Sequence, residues 1–243
     1  MAGGQTVDIR EIARRCRPEW PHRSFLAGLQ PPVLQDFLDA GELAWFRKGE
    51  VLVHEGDRGA DVFLLLKACV KATARLDEGK QALLAVRVGG DIVGEIAVLD
   101  GGVRTATVTA CGHEPVSAVR IGQEHLRRLL SRHPDAAVSL ASAVSRKLRA
   151  ASRRRVDFTG CPARVRLARA LLEMAEDYGH PSIRGILIGV NLTRIELGSL
   201  VGASPSTAER ALRELRESGL IHKVGRRVLV PDMDMLRSAA SLT

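Results

Sequence analysis

"LTRIELGSLVGASPSTAERALRELRESGLI", residues 192–221, is the stretch whose reading decides the architecture. Thr193 and Glu196 have the spacing of a capping box, in which a hydroxyl and a carboxylate satisfy each other's backbone N–H at a helix start. Gly202 ends that short helix. Ser204 suits the N-cap of a second helix, and Pro205 suits its first position, where a missing N–H breaks no bond. The second helix turns Ala208, Ala211, Leu212 and Leu215 inward and shows Ser206, Glu209, Arg210, Arg213 and Arg216 on its other face. Two helices joined by a short turn, the second with an Arg-rich outer face, predict a helix-turn-helix. The plainer reading is a packing hairpin with a solvated face. It needs the caps, the central Gly and the Arg-rich helix to coincide without purpose.

Downstream, "LIHKVGRRVLV", residues 220–230, reads as a β-hairpin turning at Gly225. That is a wing, with Lys223, Arg226 and Arg227 placed to meet phosphate. The charge balance agrees. Residues 1–145 hold 18 basic and 18 acidic side chains, whereas residues 146–243 hold 18 basic and 10 acidic, so the whole +8 lies in the C-terminal part. A basic block joined to a neutral one predicts two jobs, one of them contact with a polyanion. Lys and Arg bind duplex DNA largely through counterion release, and base readers would come from the start and outer face of the second helix.

Upstream, "PDAAVSLASAVSRKLRAASRRRVD", residues 134–157, is a long helical candidate with Pro at its first turn. Ala137, Ala141, Val144, Leu148 and Ala151 fall at 4-3-4-3 spacing. Such a stripe either packs on its own domain or pairs with a second copy, and its two-per-heptad width favours the pair. "DFTGCP", 157–162, reads as a hinge, and "ARVRLARALLEMAEDYG", 163–179, as an amphipathic helix stopping at Gly179. Before the long helix, "FRKGEVLVHEGD", "ADVFLLLKACVKATAR", "QALLAVRVGGDIV", "TATVTACG" and "EPVSAVRIG" are short β-rich runs separated by Gly- and Asp-bearing turns, the pattern of a sandwich, roll or barrel. Residues 8–45 read as short helices, among them "PPVLQDFLDAG".

Inside the β region lies "GEIAVLDGGVRTA", residues 94–106. Asp100 belongs to ordinary Asp-Gly-Gly turn chemistry. Glu95 and Arg104 are either solvated charges on a surface hairpin or two ends of a pocket. A cyclic nucleotide offers a ribose hydroxyl and an anionic phosphate a short distance apart. Glu95 suits the hydroxyl, and Arg104 suits the phosphate, with Thr105 beside it. Gly94 admits a close backbone approach, and N–H groups around Ile96 and Ala97 add donors.

"GDIVGEIAVLDGGVRTATV" resembles the phosphate-binding cassette of cyclic-nucleotide-binding domains, and "KGEVLVHEGDRGADVFLLLKACVK" the Gly-punctuated first half of that roll. With the long helix and "TRIELGSLVGASPSTAERAL", the chain is similar over roughly residues 30–232 to the CRP/FNR family of bacterial transcription regulators. The resemblance implies an α+β fold: an N-terminal double-stranded β-helix roll over 24–133, a dimerisation helix over 134–157, and a C-terminal winged helix-turn-helix over 158–243. It implies that Gly94, Glu95, Ile96, Ala97, Arg104 and Thr105 line the ribose-phosphate site of cyclic AMP or cyclic GMP as an allosteric ligand, and that Ser152 meets the base. It also implies that Arg194, Ser204 and Thr207 touch DNA phosphate. The implied partners are double-stranded DNA, a second copy of the chain and RNA polymerase.

The chain departs from the family at Ala151, where a base-contacting hydroxyl is lost, and at Lys67-Ala68-Cys69, where a turn Gly is replaced. These departures keep open a constitutive DNA-binding regulator whose roll is empty or takes another ligand, such as a cyclic dinucleotide. Pro205-Ser206 stands where well-known members carry a base-reading Arg-Glu pair, so their operator sequence does not transfer.

No G-x-S-x-G, H-E-x-x-H or P-loop is present, so catalysis is not expected. Cys16, Cys69, Cys111 and Cys161 lie far apart with no C-x-x-C, so structural thiols and no metal are expected. No apolar run spans a bilayer and the N-terminus lacks a signal-peptide core, so a cytoplasmic protein without membrane contact is expected.

Overall fold

The computed structural model describes residues 8–76, 81–111, 114–190, 192–225 and 227–241. The chain forms two compact units. One holds residues up to 71 and 87–144, the other 72–86 and 145 onward.

The first unit opens with α1 (Ile9–Cys16), capped by the Asp8 carboxylate on Arg10 N–H, then α2 (Pro31–Asp39), which starts on its prolines. The strands follow in chain order as β1 (Glu42–Phe46), β2 (Val51–Val53), β3 (Asp61–Lys67), β4 (Cys69–Arg75), β5 (Gln81–Val88) and β6 (Ile92–Val93), with residues 72–86 of β4 and β5 grouping with the second unit. After them come α3 (Glu95–Asp100), β7 (Thr107–Ala110), β8 (Val116–Gly122) and α4 (Gln123–Arg132). β1, β8, β3 and β6 form one antiparallel sheet in that order, with Val62 opposite Ile121 and Phe63 opposite both Arg120 and Val93. A second sheet runs β2, β7, β4, β5. β3 carries five consecutive buried apolar residues from Val62 to Leu66, because both of its faces are covered. Phe25 and Phe37 meet edge to face at 5.7 Å beneath it, and Trp20 Nε1 donates to Leu66 O at 2.8 Å.

α5 (Pro134–Gly160) is one continuous helix that ends three residues beyond the expected Asp157. Its buried face is Ala136, Leu140 and Ala143, packed in the core of the first unit. The seam expected from spacing lies elsewhere. Ala141, Leu148 and Ala151 are exposed and Val144 is half-buried, so the chain itself leaves that stripe open.

The second unit continues with α6 (Ala163–Tyr178), β9 (Gly179–Ser182), β10 (Gly185–Ile188), α7 (Arg194–Leu200), α8 (Pro205–Glu217), β11 (His222–Val224), β12 (Arg227–Val230) and α9 (Met233–Ala240). The wing hairpin turns at Gly225 as expected and belongs to a larger sheet ordered β11, β12, β10, β9. The core holds Leu167, Leu171, Met174, Leu197, Leu215, Ile221, Val230 and Leu236. Leu83, on the part of β5 that groups with this unit, is buried in it, and its N–H donates to Ser199 Oγ at 2.7 Å.

The structure corrects the sequence reading at two places and adds two elements to it. The strand pattern starts at Glu42, not after residue 45, because Leu43 and Ala44 pair with Val119 and Ala118 on β8. "GHPSIRGILI" is a hairpin that the stop at Gly179 concealed, and "MDMLRSAA" is a capped helix closing the core. "DFTG" stays helical, so the break narrows to Cys161 and Pro162.

Candidate functional site

β6 ends at Val93, and Gly94 turns the chain into α3 with φ +84°. A side chain there is strained twice over, because a Cβ would also lie 2.7 Å from Arg104 Nη1 and 3.1 Å from Asp61 O. Glu95, the first residue of α3, is 3% exposed, and Arg104 is 6% exposed. Buried charges at this level are rare without partners. Arg104 is strapped in place by its own backbone: its N–H donates to Asp57 O and its carbonyl accepts from Gly56 N–H, both at 2.9 Å. Its Nη1 donates to Gly94 O and its Nη2 to Asp61 O, each at 2.6 Å. Among the described residues these are two of five N–H donors, so the fork retains capacity for an anion. Burial lowers the Arg104 pKa, opposed by the nearby carboxylates of Asp61, Glu95 and Asp57. Arginine stays cationic under such a shift.

Gly59 completes the arrangement. A Cβ on it would lie 2.4 Å from Arg104 Nε and Nη2, so the guanidinium packs closely against bare backbone. The sequence reading missed Gly59, Asp57 and Asp61. Asp57 and Asp61 serve Arg104 through main-chain carbonyls, which leave no trace in residue type. The second glycine of "EGDRGAD" was the one available signal. Ile96 and Thr105 are exposed, Ala97 is buried, and the first-turn N–H groups of α3 have no intrahelical acceptors by construction. The residues present therefore suit a ligand with a hydroxyl for Glu95 and an anion for Arg104. Ser152 is exposed on α5 in the second unit, next to exposed Ala151.

The helix pair of the second unit follows its sequence closely. The capping box forms: Thr193 Oγ1 accepts from Glu196 N–H at 3.2 Å, and Glu196 Oε2 accepts from Thr193 N–H at 2.8 Å. Ser204 caps α8 on Thr207 N–H at 3.2 Å and bonds the hydroxyls of Ser206 and Thr207. Ser206, Arg210 and Arg213 stand exposed at helical spacing on one face of α8. Arg194 is bonded to Glu209 at 2.7 Å, and that hydrogen bond, more than the charge, lowers the Glu209 pKa. Lys223 is exposed on β11, and Arg226 lies outside the described residues.

Arg166 was not singled out from sequence, yet it fixes the helix pair to the chain that carries it. Its Nε donates to Val201 O at 2.7 Å, Nη1 to Cys161 O at 2.8 Å and Nη2 to Gly202 O at 3.1 Å. It also lies over the Phe158 ring at 5.9 Å. The fork thus closes the carbonyl end of α7 and the break after α5 together.

Residues 43–133 match the cyclic nucleotide-binding domain family, and residues 165–239 match the Crp-like helix-turn-helix domain family. The chain belongs to the CRP/FNR family of transcription regulators. Within this family it is 28% identical over 215 residues to a CRP-like cAMP-activated global transcriptional regulator of Mycobacterium tuberculosis, spanning 88% of this chain and 94% of that one. It is also 28% identical over 206 residues to the cAMP-activated global regulator CRP of Salmonella typhimurium, spanning 82% and 94%. A c-di-GMP responsive global regulator of Xanthomonas campestris shares the fold, with a TM-score of 0.67 at 21% identity over 84% of this chain and 100% of that one. The protein is thus a CRP-family transcriptional regulator with a cyclic-nucleotide-binding domain. Among the described residues, no helix is long and apolar enough to cross a membrane.

Proposed function

We propose that this regulator is a homodimer whose affinity for double-stranded DNA is set by a cyclic nucleotide, cyclic AMP or cyclic GMP, held at Glu95 and Arg104. The buried Arg104 fork, fixed by two carbonyls against Gly59 and beside buried Glu95, carries this reading. Glu95 accepts from the ribose hydroxyl. Arg104 and Thr105 take the phosphate, with Gly94, Ile96 and Ala97 supplying the backbone around it. Ser152 is the hydroxyl assigned to the base. The open stripe on α5, with Leu148 66% exposed, is the dimer seam, and partner copies present their α8 helices to half-sites about 34 Å apart. Ser206, Arg210 and Arg213 face the bases and their flanks. Arg194, Ser204, Thr207, Lys223 and Arg226 meet phosphate. The ligand shifts the equilibrium only by as much as it binds the two states unequally. RNA polymerase is the downstream partner, the compartment is the cytoplasm, and no catalysis is involved.

A second reading has its own observation. Ala151 offers no hydroxyl, and the chain passes from β3 to β4 through Ala68 alone. Both suit a roll that is empty or takes a cyclic dinucleotide.

Calorimetric titration with cyclic AMP, cyclic GMP and a cyclic dinucleotide separates the readings. Heat with a mononucleotide supports the first, heat with the dinucleotide alone supports the second, and no heat at all sinks ligand gating. Gly59→Ala is expected to weaken mononucleotide binding about tenfold by displacing the guanidinium, since about 1.4 kcal/mol of strain suffices. Unchanged affinity would show that the contact with Gly59 is idle. For DNA, Arg210→Ala with Arg213→Ala is expected to weaken binding at least about tenfold at the sites the unsubstituted protein selects from a random duplex pool, and to relax base preference there, since a base contact is worth about 1–3 kcal/mol. Unchanged affinity and preference remove α8 from the interface.

A further inference from the structure

Cys69 and Cys111 are 42 positions apart in sequence, yet their Sγ atoms lie 3.1 Å from each other. Cys69 opens β4 and Cys111 follows the last residue of β7, two neighbouring strands of one sheet. Cys111 N–H donates to Cys69 O at 2.9 Å, and Cys111 Sγ contacts the same carbonyl at 3.2 Å. With the two backbones already joined by that N–H···O bond, the sulfurs at 3.1 Å need to close by only about 1 Å to reach the S–S bond length of roughly 2.05 Å. Both side chains are partly exposed, so a small reagent reaches them.

The other two cysteines differ. Cys16 is buried, and its burial raises the thiol pKa, which disfavours the reactive thiolate. Cys161 Sγ lies near Arg169 and the Asp157 carboxylate, with no second sulfur beside it among the described residues.

We infer that Cys69 and Cys111 form a dithiol site that a low-molecular-weight disulfide oxidises to an intramolecular cross-strand disulfide. The thiolate of one cysteine attacks a sulfur of the reagent, forming a mixed disulfide and releasing one thiolate that takes up a proton. The thiolate of the second cysteine then attacks the first cysteine's sulfur, closing the protein disulfide and releasing the other half of the reagent as a thiol. Two S–H bonds and the reagent's S–S bond are lost, and one protein S–S bond and two reagent S–H bonds form. Two electrons pass from the cysteines to the reagent.

The place of the bond gives it consequence. The segment it closes, 69–111, contains α3, Glu95 and Arg104 entire. Tying its two ends restricts the unfolded chain, and a loop of this length is expected to raise the melting temperature of the first unit by roughly 5 °C or more.

The test uses the purified full chain equilibrated over a series of reduced-to-oxidised glutathione ratios, quenched in acid, alkylated and mapped by mass. The expected result is loss of two hydrogens from the intact chain and a link between the tryptic peptides 68–71 and 105–120. Cys16 and Cys161 remain alkylated throughout. Cys69→Ser and Cys111→Ser each abolish the link and the upward shift in melting, while Cys161→Ser keeps both. Alkylation of Cys69 and Cys111 at every ratio overturns the proposal. So does a persistent glutathione adduct on the unsubstituted chain, or a bond formed only between chains.

Discussion

Replacing Arg104 with alanine is expected to weaken cyclic-nucleotide binding at least about 100-fold, read as loss of calorimetric heat at concentrations that saturate the unsubstituted protein. Truncating one partner of a buried, hydrogen-bonded charge pair typically costs about 2–5 kcal/mol of binding, and each 1.4 kcal/mol is tenfold. The upper part of that range applies here for a structural reason. Arg104 would meet the ligand while also holding Gly94 O and Asp61 O, so its loss removes the anion's partner and loosens the wall of the cradle. Arg104→Lys separates the two effects. It keeps a cation but cannot serve two carbonyls and a phosphate with one planar fork, so its affinity should fall between the two. Unchanged affinity in Arg104→Ala, with circular dichroism intact, places the ligand elsewhere.

The ends of the cradle were legible in the sequence to different degrees. Glu95 and Arg104 stood out because charged residues in a small, apolar, Gly-rich stretch need a reason. Gly94 followed from the same stretch, and the structure places it at positive φ against Arg104. The supports of Arg104 did not stand out, because the chain meets it through the carbonyls of Asp57, Asp61 and Gly94. Every residue carries a main-chain carbonyl, so periodicity and composition are silent about it. Cys69 and Cys111 were obscured for a related reason. Sequence spacing reports cysteines brought together by a local loop, whereas these two meet across a ladder whose register is set by distant strands.

In the second unit, local signals dominated. Caps, Pro at a first position and Arg on one helical face act within a few residues, and α7, α8 and the wing formed where they indicated. The hairpin of β9 and β10 was hidden because its strands are four residues each and one carries Pro181. Its register comes from β12, which pairs Ile186 with Val230, and not from its own alternation. α5 ran past its expected end because tertiary contacts override the glycine. Asp157 and Phe158 are engaged by Arg169 and Arg166, and these hold the last turn helical.

That last turn carries the second large expected effect. Asp157 is buried on α5, and its carboxylate accepts from Arg169 Nη1 on α6, while Arg169 Nε donates to Ala240 O at 2.7 Å. Asp157→Ala leaves a largely buried guanidinium with one carbonyl and a thiol for company, and breaking a buried pair from one side costs about 3–5 kcal/mol. For a unit of this size that is a fall in melting temperature of more than roughly 10 °C. Asp157→Ala combined with Arg169→Ala should cost less than the two single substitutions summed, because the second removes the charge that the first strands. The chain provides a clean readout. Its two tryptophans, Trp20 and Trp45, both lie in the first unit. Tryptophan fluorescence excited at 295 nm therefore follows that unit, whereas far-ultraviolet circular dichroism also follows the helices of the second. The expected result is a circular dichroism transition displaced to lower temperature with the tryptophan transition unmoved. A dichroism midpoint within 2 °C of the unsubstituted protein would show that the pair holds nothing, and that Arg166 alone fixes the end of α5.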